Sequence, residues 1–130
     1  MGGFSVAIKV VRRSDADVLK IRQCLAAYQG QHPRADILLY REDPYSVNMR
    51  IIDPDFAGMD RIERQYLVWS FFEQLDDRVG SQPMIVLPLT PEEASESLFS
   101  AEFDDIARAW ARKKKQVSRN GKPTRSSRGK

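Results

Sequence analysis

Phe56-Ala57-Gly58-Met59-Asp60-Arg61-Ile62-Glu63-Arg64-Gln65-Tyr66-Leu67-Val68-Trp69 reads as a turn running into a helix. The Asp53-Pro54-Asp55 segment before it is turn chemistry, because proline biases the preceding residue away from helical backbone. Asp60 stands three residues ahead of Glu63, the spacing of a capping box, so the helix is expected to start there. Ile62, Tyr66, Trp69 and Phe72 recur at helical spacing, which predicts an inner stripe widened by Val68 and Leu75 in a helix reaching about Asp76.

On the N-terminal side, Phe4, Val6, Ile8 and Val10 alternate before Arg12-Arg13, the period of a strand with one face buried. Ser14, three residues before Asp17, marks a helix start, and Val18, Ile21, Leu25 and Tyr28 form its apolar stripe before Gly30 and Pro33 end it. The apolar run Ile37 to Tyr40, the turn Glu42-Asp43-Pro44 and the alternating Val47, Met49 and Ile51 predict a β-hairpin with a half-exposed second strand.

On the C-terminal side, Val79-Gly80-Ser81-Gln82 reads as loop, and Met84 to Leu89 as a strand bounded by Pro83 and Pro88. Thr90-Pro91-Glu92-Glu93 is a capping box with proline at the first helical position. Phe99, Phe103, Ile106 and Trp110 then give a stripe expected to lie against the sheet. The order implies an α+β fold with a mixed sheet of three or four strands, a right-handed crossover and helices packed on one face. Residues 1–111 are expected to form a single domain, and 112–130, made almost entirely of Ser, Gly, Lys and Arg toward its end, a disordered basic tail.

Phe56-Ala57-Gly58, Arg64 eight residues after Phe56, then Val68, Trp69 and Leu75 resemble the BolA-like family, whose αββαβ domains share the topology of type II KH modules. The resemblance covers residues 15 to about 93 in element order, and Phe56 to Trp69 in motif letters. It implies a regulatory, DNA-associated protein. In that family a His follows the motif Arg and helps a monothiol glutaredoxin hold an iron–sulfur cluster; Gln65 stands there in this chain, followed by Tyr66. The other ligand of the family comes from the hairpin loop, and Glu42-Asp43-Pro44 offers neither His nor Cys. Oxygen donors suit such clusters poorly. No Gly-x-x-Gly loop is present to clamp a nucleotide backbone as a KH module does.

Charge is unevenly divided. All 18 acidic residues lie at or before Asp105, so residues 1–111 carry −6, whereas Arg112, Lys113, Lys114, Lys115, Arg119, Lys122, Arg125, Arg128 and Lys130 give the tail +9. The pI near 9.2 describes neither part. Nine phosphate contacts on duplex DNA would set a salt slope of about −8 at most. A flexible coil of this length spans about 24 Å, enough to reach several phosphates. Selectivity would have to come from the body, where Arg61 and Arg64, together with Lys20 and Arg22, are expected to be exposed.

Other chemistry is sparse. His32, the only histidine, reads as a surface or capping residue, and Asp53 and Asp55 read as turn formers. Without a second histidine, Ser-His-Asp and histidine-built zinc constellations have no sequence support. Asp76-Asp77, Glu92-Glu93 and Asp104-Asp105 read as caps and solvated faces, since neighbours on a helix point apart. Cys24 reads as a buried thiol, which fits a reducing cytoplasm. No phosphate loop or nucleophile elbow occurs, nor a signal peptide, myristoylation signal or membrane span. The reading is a cytoplasmic, non-enzymatic, nucleic-acid-associated (DNA or RNA) or regulatory module that needs no cofactor. A protein-interaction adaptor for an acidic partner is the alternative.

Overall fold

The computed structural model describes residues 8–121, and the side-chain surroundings of 8–116. Phe4 and Val6 of the expected first strand, and Lys122, Arg125, Arg128 and Lys130 of the expected tail, lie outside the described residues. Four strands, β1 (Ile8–Val11), β2 (Asp36–Asp43), β3 (Ser46–Ile52) and β4 (Pro83–Leu89), form one sheet in the order β1-β2-β3-β4. β1 pairs parallel to β2, β2 antiparallel to β3, and β3 parallel to β4. The helices are α1 (Ala16–Gln31), α2 (Arg61–Trp69), α3 (Asp77–Gly80), α4 (Pro91–Glu96) and α5 (Leu98–Gly121). The α+β class and the mixed four-stranded sheet are as the sequence predicts.

The larger core lies on one face of the sheet. Val18, Ile21, Leu25 and Tyr28 of α1 meet Ile37 and Leu39 of β2 and Val47, Met49 and Ile51 of β3, with Val68 and Phe72 closing the same cluster. Cys24 is buried among them as expected, and burial pushes its thiol up. Asp15, not Ser14, caps α1, its carboxylate accepting from Val18 N–H at 2.9 Å.

The expectation of helices on a single face fails for α5. Phe103 of that helix, flanked by Ile106 and Trp110, covers Val11, Leu38 and Tyr40 on the opposite face. This also explains why β3 is buried almost throughout, where a half-exposed strand is predicted. Its outward residues are Asn48, which donates to the Tyr40 hydroxyl, and Arg50, which donates to Ser100 O and to Asp104 of α5 at 2.8 Å.

The crossovers are a second departure. β1 to β2 and β3 to β4 step the same way across the sheet, while β3 runs opposite to β1. With α1 and α2 both packed into the first core, the two connections are related by a mirror operation. They have opposite hands, so one breaks the right-handed rule.

Local corrections follow from packing. Asp60 and Glu63 form the expected capping box, but Ile62 and Tyr66 are 68% and 75% exposed, and Arg64, Val68 and Phe72 point inward instead. The helix tightens to a 3₁₀ turn over Ser70–Phe72 rather than running to Asp76. Asp76 caps a single helical turn, α3, where loop is predicted. Thr90 and Glu93 complete the predicted box at α4, yet the chain breaks at Ser97 before α5, leaving Phe99 exposed. Residues 112–121 of the expected tail continue α5, and 122–130 lie outside the described residues. Arg, Lys and Gln are good helix formers, and cations near a C-terminus complement the helix dipole.

Candidate polyanion interface

β1 is an edge strand, and α5 crosses the second face so that its apolar half ends on that edge. Trp110 is the last large apolar residue of this half and is half-buried beside Val11. Helical spacing then puts Lys113 and Lys114 on its flank at i+3 and i+4. One shallow groove beside Trp110 is lined by Arg12, Arg13 and Lys113, with Ile106, Ala109 and Asp105. The groove on its other side is lined by Lys9, Lys114 and Lys115, with Val10, Val11, Ala107 and Ala111. Six cations, one on β1, two just past its end and three on α5, thus surround one aromatic ridge. Lys114 Nζ stands 6.0 Å from the Trp110 ring centroid, and the Arg12 guanidinium carbon 4.7 Å from that of Tyr40.

The anions nearby are partly committed. Glu42 lies 3.6 Å from Arg12, and Asp105 pairs with Arg108. Arg12 itself sits at φ 66°, a left-handed conformation that is unusual for a residue with a side chain. That kink turns the chain from β1 toward α1 and places Arg12 and Arg13 at the end of the edge.

The residues expected from sequence divide sharply. Arg112, Lys113, Lys114 and Lys115 are exposed on α5; Arg119 lies on the same helix. Arg61 is exposed, but it lies at the start of α2, on the other face and next to the opposite edge strand, β4. Arg64, expected to be exposed, is buried with its side chain 9% accessible, and pairs with Glu93 at 2.6 Å. It also donates to Met59 O and Pro88 O, so its charge is used inside the fold. Lys20 is exposed and Arg22 half-buried on α1. The structure therefore does not bring Arg61 and Arg64 together with the tail cations. It brings in Lys9, Arg12 and Arg13, which sequence reading takes only as a strand and its end.

A second cluster forms where α1 and β3 finish. Tyr28 donates its hydroxyl to Asp53 Oδ2 at 2.6 Å, His32 Nδ1 lies 2.8 Å from Asp55 Oδ2 and 3.6 Å from Asp53 Oδ2, and Arg34 donates to Asp55 Oδ1 at 2.7 Å. His32 stacks on Tyr28 with ring centroids 4.3 Å apart. His32, followed by Arg34, holds the Asp55 carboxyl below the usual carboxylate range. Burial, reinforced by Asp53, pushes the Tyr28 phenol upward. His32, Asp53 and Asp55 are the group among the described residues that could hold a metal ion.

No family model matches the sequence, and no curated protein matches it. The fold is similar to that of a solved structure of the BolA kind. That structure is BolA1 from Arabidopsis thaliana, 22% identical, with a TM-score of 0.47, covering 62% of this chain and 98% of that chain.

Proposed function

We propose that this protein is a non-enzymatic, nucleic-acid-associated or regulatory module that binds polyanions along the ridge at Trp110. The observation supporting this is the convergence of Lys9 on the edge strand, and of Arg12 and Arg13 just past its end, with Lys113, Lys114 and Lys115 from α5. A cationic tail alone would be a solvated extension, whereas cations held at a strand, its end and a helix present charge at set positions to a phosphate backbone. Six contacts imply a salt slope of about −5 on duplex DNA. Trp110 is half-buried and flanked by lysines, so it offers little free face for stacking bases. Recognition therefore rests on phosphates.

The adaptor reading draws support from a different surface. The exposed Ile62 and Tyr66 and the half-buried Trp69 of α2 lie beside Arg61, a largely aromatic patch of the kind protein partners use. Fluorescence anisotropy of the full-length chain with labelled duplex DNA, duplex RNA and polyglutamate, at rising salt, separates the readings. Binding to both duplexes that weakens in Lys9→Glu/Arg13→Glu and in Lys113→Glu/Lys114→Glu supports the nucleic-acid reading. Binding to polyglutamate alone, or to none of the three at low salt, overturns it.

A further inference from the structure

We propose that His32, Asp53 and Asp55 form a binding site for one divalent transition-metal ion, with zinc the ion whose preferred donors they best supply. The proposal is independent of the polyanion ridge. Zinc takes imidazole nitrogen and carboxylate oxygen at about 2.0 to 2.2 Å in tetrahedral geometry, which sets donor atoms roughly 3.3 to 3.6 Å apart. Here His32 Nδ1 is 2.8 Å from Asp55 Oδ2 and 3.6 Å from Asp53 Oδ2, and the three ligand atoms all lie within 4.8 Å of one another. The His32–Asp55 contact must open by about 0.5 to 0.8 Å to reach coordinating distance, and the two carboxylates, within 4.8 Å of each other, must meet the same spacing.

The surroundings hold each donor in place. Asp55 Oδ1 is taken by Arg34, which leaves Oδ2 turned toward the imidazole. Asp53 is fully buried; its Oδ1 accepts from Asp55 N–H at 2.9 Å, and its Oδ2 accepts from the Tyr28 hydroxyl. The His32 ring is fixed by its stack on Tyr28, and its backbone N–H bonds to the carbonyls of Tyr28 and Gln29. Outer partners of this sort orient ligands in metal sites. Charge argues the same way. A buried carboxylate needs a cation or strong donors, and Asp53 has neutral donors plus an imidazole 3.6 Å away. The His32 and Asp55 side chains are 19% and 33% exposed, so an ion has a path from solvent. When the ion binds, His32 ligates through a bare Nδ1 and carries its ring proton on Nε2, so a proton held between Nδ1 and Asp55 Oδ2 moves to Nε2 if the imidazole is neutral and leaves to solvent if it is the imidazolium.

Because His32 is the only histidine in the chain, imidazole NMR signals of untagged full-length protein report on this site alone. One equivalent of zinc chloride should shift those signals and bind with a stoichiometry of one by calorimetry, at micromolar affinity or tighter. His32→Gln and Asp55→Asn should each weaken binding by at least about tenfold, with unchanged amide dispersion. Imidazole signals unmoved by zinc, or affinity unchanged in either variant, would overturn the proposal. Should a variant fail to fold, the wild-type imidazole response decides.

Discussion

The Arg64 guanidinium donates to both carboxylate oxygens of Glu93, at 2.6 and 3.2 Å, and so joins the middle of α2 to the first turn of α4. The same arginine satisfies Pro88 O of β4 and Met59 O before α2. Three connections of the fold therefore meet in one buried side chain. Arg64→Ala should lower unfolding free energy by about 1 to 3 kcal/mol, because buried carbonyls lose their donor. Urea unfolding at neutral pH checks this.

Glu93 makes this link pH-sensitive. Arg64, helped by the Thr90 N–H, holds its carboxyl at about 2, against an ordinary 4.5. A depressed carboxylate adds stability above its unfolded pKa and loses it as pH falls through the folded one. Wild-type stability should thus decline between pH 4.5 and 2. Asp17, held at about 2 by Arg78 and Gln82, adds to the decline from 3.8 downward. Glu93→Gln should flatten the upper part of that window, and a urea midpoint that falls as steeply as in the wild type would count against the pairing.

The phase of α2 is testable by contrast. Val68 is fully buried and Tyr66 is 75% exposed. Val68→Ala should cost about 1 to 3 kcal/mol as a cavity in the core, and Tyr66→Ala less than about 0.5 kcal/mol. Equal losses would mean that the helix presents its other face to the sheet.

Gly58 adopts φ 85° with open space where a Cβ would sit. Gly58→Ala should therefore cost only the conformational penalty, about 1 to 2 kcal/mol. Thermal unfolding measures it, and a neutral substitution would show that the turn relaxes.

On the ridge, each neutralised contact should lower the magnitude of the salt slope by about one. Lys113→Ala and Arg13→Ala should do so equally despite lying 100 residues apart in sequence. Titrations of duplex DNA affinity against salt check the equality, and a response to Lys113 alone would separate strand from helix.

Much of the fold was legible in local chemistry. The capping boxes at Asp60 and Thr90, the alternation in Val47, Met49 and Ile51, and the apolar spacing of α1 each depend on neighbours a few residues away. The phase of α2 was not legible, because Tyr66 and Ile62 look like core residues until Arg64 is seen to have Glu93, Pro88 and Met59 as partners. Nor was the second face of the sheet, which depends on where α5 travels after the break at Ser97. The candidate site followed the same division. Its lysines on α5 were evident as a charge run, whereas Lys9, Arg12 and Arg13 join them only through tertiary packing, as His32 joins Asp53 and Asp55 from 21 and 23 residues away.

Two crossover helices on one face leave α5, among the described residues, as the helix that roofs Leu38 and Tyr40 on the other. A roof anchored by Arg50 near its start and by Trp110 near its middle behaves as a lever whose far end is the cationic segment. Any ligand that grips this end without gripping the unfolded chain stabilises the folded state by mass action. The amides of Leu38 and Tyr40 would then exchange with solvent more slowly in the complex, although no ligand atom comes near them.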